Sequence, residues 1–161
     1  MKQFTLLLAL FFSIGLTAQC TDIETNYRPD GNTIKYFNPK SILKQTHYEV
    51  GASIYYNQTT KTYFVNIAVL FKTLNQMDIS GDLLLQLNNS NEGISLKRVV
   101  SDKIQMNGRN VSIAMYEIDK RSYNLLSKYS LKNLYFTMNN KTYGSTVTEN
   151  NSLFINQLKC L

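Results

Sequence analysis

The sequence predicts a mainly β protein: an antiparallel β-sandwich, or an antiparallel sheet folded over on itself, assembled from hairpins. Three observations lead there. Between Tyr48 and Phe71 apolar residues recur at every second position, the period of a pleated strand with one buried face. Asn107-Gly108 and Asn139-Asn140 each separate two apolar runs, and a tight hairpin turn needs residues that accept φ > 0. Strand-like and helix-like stretches never follow the β-α-β order that a parallel sheet requires.

Residues 1–18 read as a secretory signal peptide rather than as part of the fold. Lys2 supplies a positive start, residues 4–16 are almost unbroken apolar sequence, and Thr17-Ala18 offers small residues for cleavage before Gln19. The run is shorter than the roughly 20 apolar residues of a membrane-spanning helix. The mature chain, residues 19–161, then reads as a single domain with no transmembrane segment, no Ser/Gly/Pro linker and no internal repeat.

Residues 19–32 read as an arm closed by the turn Pro29-Asp30-Gly31-Asn32, in which Pro fixes φ and Gly accepts a positive φ. Residues 33–37 make a short strand, broken by Asn38-Pro39-Lys40. Residues 47–56 alternate strictly and predict a half-buried strand. Residues 62–73 are apolar on much of both faces, which suits the centre of a sheet, and together the two form a long hairpin. Residues 74–81 read as a connection. A second hairpin pairs residues 82–87 with 94–100, and a third pairs 103–106 with 109–118. Asp119 is placed to cap a short helix over residues 120–128, its carboxylate accepting free N–H groups of the first turn. A fourth hairpin joins residues 131–138 and 141–147. Residues 151–159 suit a closing helix, with Phe154, Leu158 and Leu161 on one side.

The two cysteines, Cys20 and Cys160, stand at opposite ends of the mature chain. In an exported protein this points to one disulfide that closes nearly the whole domain into a ring. Two other readings stay open: free buried thiols, or a lipid attached to Cys20. Gln19 argues against the lipid, because lipoprotein processing favours a small residue before the cysteine.

The chain carries a formal charge of +6, unevenly placed. Residues 19–96 hold six Lys/Arg and seven Asp/Glu, and residues 97–161 hold ten and four. The basic half reads as a solvated surface, or as an attraction for an acidic envelope surface or partner. Export and the lack of any long basic run exclude nucleic acid as the expected ligand.

Catalytic and metal chemistry find little footing. His47 is the lone histidine and falls on the same strand face as Glu49, a rim position. Nothing around Ser41 or Ser53 resembles a nucleophile elbow. Residues 78–82, with Asp78 and Asp82 around Ser80-Gly81, lack the ligand density of a calcium loop and read as a turn. One histidine and two terminal cysteines do not make a zinc site. Eleven tyrosines and no tryptophan are present. Tyr55, Tyr56 and Tyr63 lie in strands and are expected to pack in the core and as cross-strand pairs, with an exposed binding face as the alternative; the missing tryptophan counts mildly against carbohydrate binding without excluding it. Asn57, Asn110, Asn140 and Asn150 begin glycosylation sequons, a frequent chance match in so Asn-rich a chain.

The signal ending Leu16-Thr17-Ala18-Gln19, the Asn/Lys/Tyr-rich mature chain, and the tail from Tyr116-Glu117-Ile118-Asp119 to Cys160-Leu161 resemble small secreted or periplasmic proteins of unknown function from Bacteroidota-type bacteria. The resemblance implies no catalytic, cofactor or metal residues for this chain. The first functional expectation is an exported, non-catalytic binding or structural module of the bacterial envelope. Its ligand is a protein or an envelope polymer, acidic if the basic half takes part. Edge strands and the basic half are the expected contact surfaces. The alternative is a periplasmic inhibitor or immunity-type protein that blocks a toxin or hydrolase. An enzyme stands third, and would need His47 gathered with two carboxylates in a pocket.

Overall fold

A computed structural model describes residues 20–161; the expected signal peptide lies outside the described residues. The chain runs β1 (Ile23–Tyr27), β2 (Thr33–Phe37), β3 (Lys40–Lys44), β4 (Tyr48–Asn57), β5 (Thr62–Phe71), β6 (Ile79–Leu87), β7 (Gly93–Leu96), β8 (Arg98–Met106), β9 (Arg109–Ile118), α1 (Lys120–Leu126), β10 (Leu131–Met138), β11 (Lys141–Thr146) and α2 (Leu153–Leu158). One antiparallel sheet has the order β1-β2-β4-β5-β9-β8, with β3 also paired to β4. The other is β11-β10-β6-β7. The expected mainly antiparallel fold with two short helices is what forms.

The core lies between the sheets and follows the alternation in the sequence. Val50, Ala52 and Ile54 of β4 stand opposite Val69, Ile67 and Val65 of β5. All six are fully buried, against Leu83 and Leu85 of β6 and Leu134 and Phe136 of β10. Each aliphatic side chain so buried contributes roughly 1.5–3 kcal/mol. β5 lies between β4 and β9 and is covered on much of both faces, as its two-sided apolar pattern requires. All four expected hairpin turns form, and Asn107, Gly108, Asn139 and Asn140 all have positive φ.

Five expectations are corrected. Residues 19–32 are not only an arm: β1 pairs with β2 from Ile23 opposite Phe37 to Tyr27 opposite Thr33. Its side chains are mostly exposed, so ladder hydrogen bonds rather than an apolar face hold it, and no alternation announces it. The break at Asn38-Pro39 does not end the sheet: β2 and β3 are two halves of one track along β4. Ile34–Tyr36 face Asn57–Tyr55, and Lys40–Ser41 face Ala52–Gly51. Pro39 comes so close to β4 there that a Cβ on Gly51 would lie 3.2 Å from the Pro39 Cβ.

The stretch 94–100 is two strands. β7 belongs to the second sheet, β8 to the first, and Lys97 carries the crossing. The register shifts between Arg98 and Val100, a bulge that turns the chain. β6 begins at Ile79, inside the stretch read as a connection. Gly81, at φ +69°, sits within the strand where the register against β10 slips, so it marks a bulge and not a strand end. Both helices are also shorter than expected, α1 ending at Leu126 and α2 covering Leu153–Leu158.

Cys20 and Cys160 form a disulfide with Cα atoms 5.5 Å apart, tying the start of the described chain to the end of α2. The bond occupies the Cys20 sulfur, so it and a thioether lipid on that sulfur exclude each other in one molecule. No helix among the described residues is long and apolar enough to cross a membrane.

Candidate binding surface

His47 is exposed, and its Nδ1 lies 2.6 Å from the Thr73 hydroxyl. Glu49, on the same face, pairs with Lys72. Asp78 is taken up by Lys103, at 3.1 Å. No group of three or more His, Cys, Asp or Glu residues fit to hold a metal ion occurs among the described residues. The basic residues of the second half are shared among β8, β9, α1, β10, β11 and the connections, with Lys159 just after α2. Arg121 is paired with Glu92.

The feature that stands out is aromatic. The turn between β1 and β2 lies against the turn between β4 and β5. Asn57 Nδ2 donates to Asn32 Oδ1 (3.1 Å), the Thr33 N–H to Thr59 Oγ1 (3.2 Å), and the Gln58 N–H to the Thr33 carbonyl (2.9 Å). Six of the eleven tyrosines gather at this end: Tyr27, Tyr36, Tyr55, Tyr56, Tyr63 and Tyr123. Tyr27 is 80% exposed, and the other five are half-buried.

On the face of the first sheet turned away from the core, Tyr36, Tyr55, Phe64 and Glu117 are opposite one another across β2, β4, β5 and β9. Tyr36 and Tyr55 stack with centroids 5.0 Å apart. The neighbouring row is Ser53, Asn66 and Met115. Ser53 and Asn66 are small enough to be buried there, and Asn66 Nδ2 donates to Ser53 Oγ at 3.4 Å. Arg28, Asn26 and Ile34 complete an outer recess of about 280 Å³. Tyr36 donates its hydroxyl hydrogen bond to Glu24 Oε2 (2.7 Å), and Glu24 also accepts from Asn38. That hydrogen bond raises the Tyr36 pKa, because ionisation would set a phenolate against a carboxylate. Burial raises that of Tyr55, with the Glu24 charge adding to it.

Beside the same hairpin a second, inner recess of about 400 Å³ opens between its turn and the start of α1. Tyr56 stacks on Tyr63 at 4.4 Å, and Tyr63 meets Tyr123 of α1 at 5.0 Å with planes tilted by 54°. Lys61, Lys120 and Glu117 stand in its lining. Asp119 lines it too, but its carboxylate accepts from the Ser122 N–H (2.6 Å) as the α1 cap, which lowers its pKa.

The expected cross-strand tyrosine pairs form: Tyr36 is opposite Tyr55, and Tyr56 opposite Tyr63. The sequence reading ranked an exposed tyrosine face second to packing, and missed that both pairs gather half-exposed at one end and that Tyr123 joins them. A signal was present. Tyr55-Tyr56 and Tyr63-Phe64 are consecutive aromatics, and consecutive strand residues point to opposite faces. No protein family, curated protein or solved structure matches the chain.

Proposed function

We propose that the protein is an exported, non-catalytic binding module of the bacterial envelope. It holds a protein segment or an envelope polymer against the aromatic end of the sandwich. The observation that carries this reading is the pair of aromatic clusters, one on each side of the β4–β5 hairpin, each left half-exposed beside a recess. Tyrosine is suited to contact surfaces because it brings a large, rigid, amphipathic area with few rotatable bonds.

This reading moves the contact away from the β8 edge. On β8, the Lys103 N–H is already taken by the Asp102 carboxylate (2.7 Å), and the bulge at Arg98–Val100 bends the strand. Both features protect an edge against pairing with another chain. Export is supported by the apolar leader and by the disulfide, a bond that persists in oxidising compartments.

The test is co-sedimentation of the purified mature protein with washed cell envelopes of a producing bacterium. The wild type is expected to sediment with them. Phe64→Ser, which removes the largest apolar wall of the outer recess, is expected to lower affinity by about tenfold or more, the effect of losing a well-packed anchor. Equal binding by both proteins, or none by the wild type, overturns the reading.

A further inference from the structure

We infer that the inner recess is a subsite for an acidic glycan: sugar rings lie on Tyr63 and Tyr123, and their carboxylates are held by Lys61 and Lys120. This deepens the binding-module reading and rests on it. The argument begins with the backbone. Lys61 has φ +56°. Every other non-glycine residue with positive φ among the described residues is asparagine, at positions 89, 107, 139, 140 and 150. Asparagine enters this left-handed region more readily than lysine does. The β4–β5 turn is already organised by Asn57, whose Oδ1 accepts from the Thr59 and Thr60 N–H groups at 3.0 and 3.2 Å. Hairpin-turn positions with positive φ are usually glycine or asparagine. Folding therefore gains nothing from a lysine at its last position.

Nor does the Lys61 ammonium contribute through a contact of its own. Among the described residues it makes no ion pair or hydrogen bond, and neither does Lys120. The nearby Asp119 carboxylate is committed to the Ser122 N–H. Two unpaired cations thus line one recess, while the Glu117 side chain belongs to the outer sheet face with Phe64. The surplus positive charge favours a ligand unit with one anionic group. The rings of Tyr63 and Tyr123 add half-exposed apolar surface. A uronic acid joins both demands in one unit: a C–H face for the rings and a carboxylate for the lysines. An acidic peptide meets the lysines but leaves the tyrosine faces uncovered. A recess of about 400 Å³ is in the range that takes a small ligand.

Calorimetric titration of the mature protein tests this with three probes: tetragalacturonate, a neutral tetrasaccharide and a tetraglutamate peptide. Tetragalacturonate is expected to bind at least about tenfold more tightly than either of the others, with affinity falling as salt rises. Lys61→Asn is expected to weaken that binding about tenfold while raising the urea midpoint, because asparagine relieves the backbone. A merely structural lysine would not separate the two readouts in this way. Tyr123→Ala is expected to weaken binding with little change in salt dependence. The inference is overturned if tetragalacturonate does not bind, if either other probe matches it, or if Lys61→Asn binds as well as the wild type. If envelopes still co-sediment in a Phe64-dependent manner while tetragalacturonate fails, only the glycan assignment falls. If both fail, the binding-module reading falls with it.

Discussion

The backbone N–H of Ile54 points at a stretch of the β4 edge that neither β2 nor β3 reaches, because Asn38 and Pro39 separate those two strands. Gln157 of α2 fills the gap: its Oε1 accepts from that N–H at 2.7 Å, in place of a ladder carbonyl. The donor fixes the amide orientation, which leaves the buried Gln157 Nε2 without a protein partner among the described residues. Gln157→Leu keeps the volume and removes the acceptor. An orphaned buried N–H costs about 1–3 kcal/mol, and removing the unpartnered Nε2 offsets part of it. A net loss of about 1 kcal/mol is expected, read as a lower urea midpoint at unchanged slope. An unchanged midpoint would mean that Phe154 and Leu158 alone hold α2. The Tyr116 hydroxyl is likewise buried and unpartnered among the described residues. Burial pushes its pKa well up, so this phenol stays neutral across the range in which the carboxylates titrate.

At the scale of elements, α1 shows how a short helix is held by its first residue. It has seven residues and no acidic side chain in its first turn, so Asp119 is the group that answers its free N–H groups. Asp119→Ala is expected to cost about 1 kcal/mol near neutral pH. The Asp119 pKa is lowered, first by the Ser122 backbone N–H, so the unfolded chain holds this proton more tightly than the native one. Its contribution is therefore complete above the ordinary carboxylate value of about 4 and is lost as pH falls through the lowered native value. Urea midpoints of wild type and Asp119→Ala should differ most at pH 7 and by less near the acid limit, where the protonated carboxyl is the weaker acceptor, and Asp119→Asn should lie between the two at pH 7. A constant gap at all pH values would exclude the ionised cap.

This cap was legible in the sequence, as were the Asn-Gly and Asn-Asn turns, because each depends on a few adjacent residues. β1 was not, because its neighbours supply hydrogen bonds and not an apolar face. Nor was the crossing at Lys97, since strand-forming residues flank it on both sides, Ile94 and Leu96 before and Val99-Val100 after, and no turn residue marks where the sheet changes. The aromatic end was half legible: pairing could be read from strand register, but exposure depends on which turns and which helix come together in the folded chain.

At the scale of the whole molecule, the Cys20–Cys160 bond spans 140 residues and joins an edge to the interior. β1 pairs with β2 alone, and α2 packs on β4 beneath its buried Phe154 and Leu158. Closing a loop of this length removes about 5 kcal/mol worth of denatured-chain freedom, an upper figure because denatured chains retain some compactness. β1 and α2 each have native contacts of their own, so the effect of the bond is expected to belong to the unfolded state. Two consequences separate that origin from a native-state one. Reduction and alkylation, or the double change Cys20→Ser/Cys160→Ser, should lower the urea midpoint. They should also steepen the transition, because an uncrosslinked chain exposes more surface when it unfolds. A lower midpoint with an unchanged slope would mean that the bond acts by holding β1 in place. Hydrogen exchange would then show β1 opening first in the reduced protein while β4, β5 and β9 stay protected. If neither midpoint nor slope changes, the ends are held by packing alone.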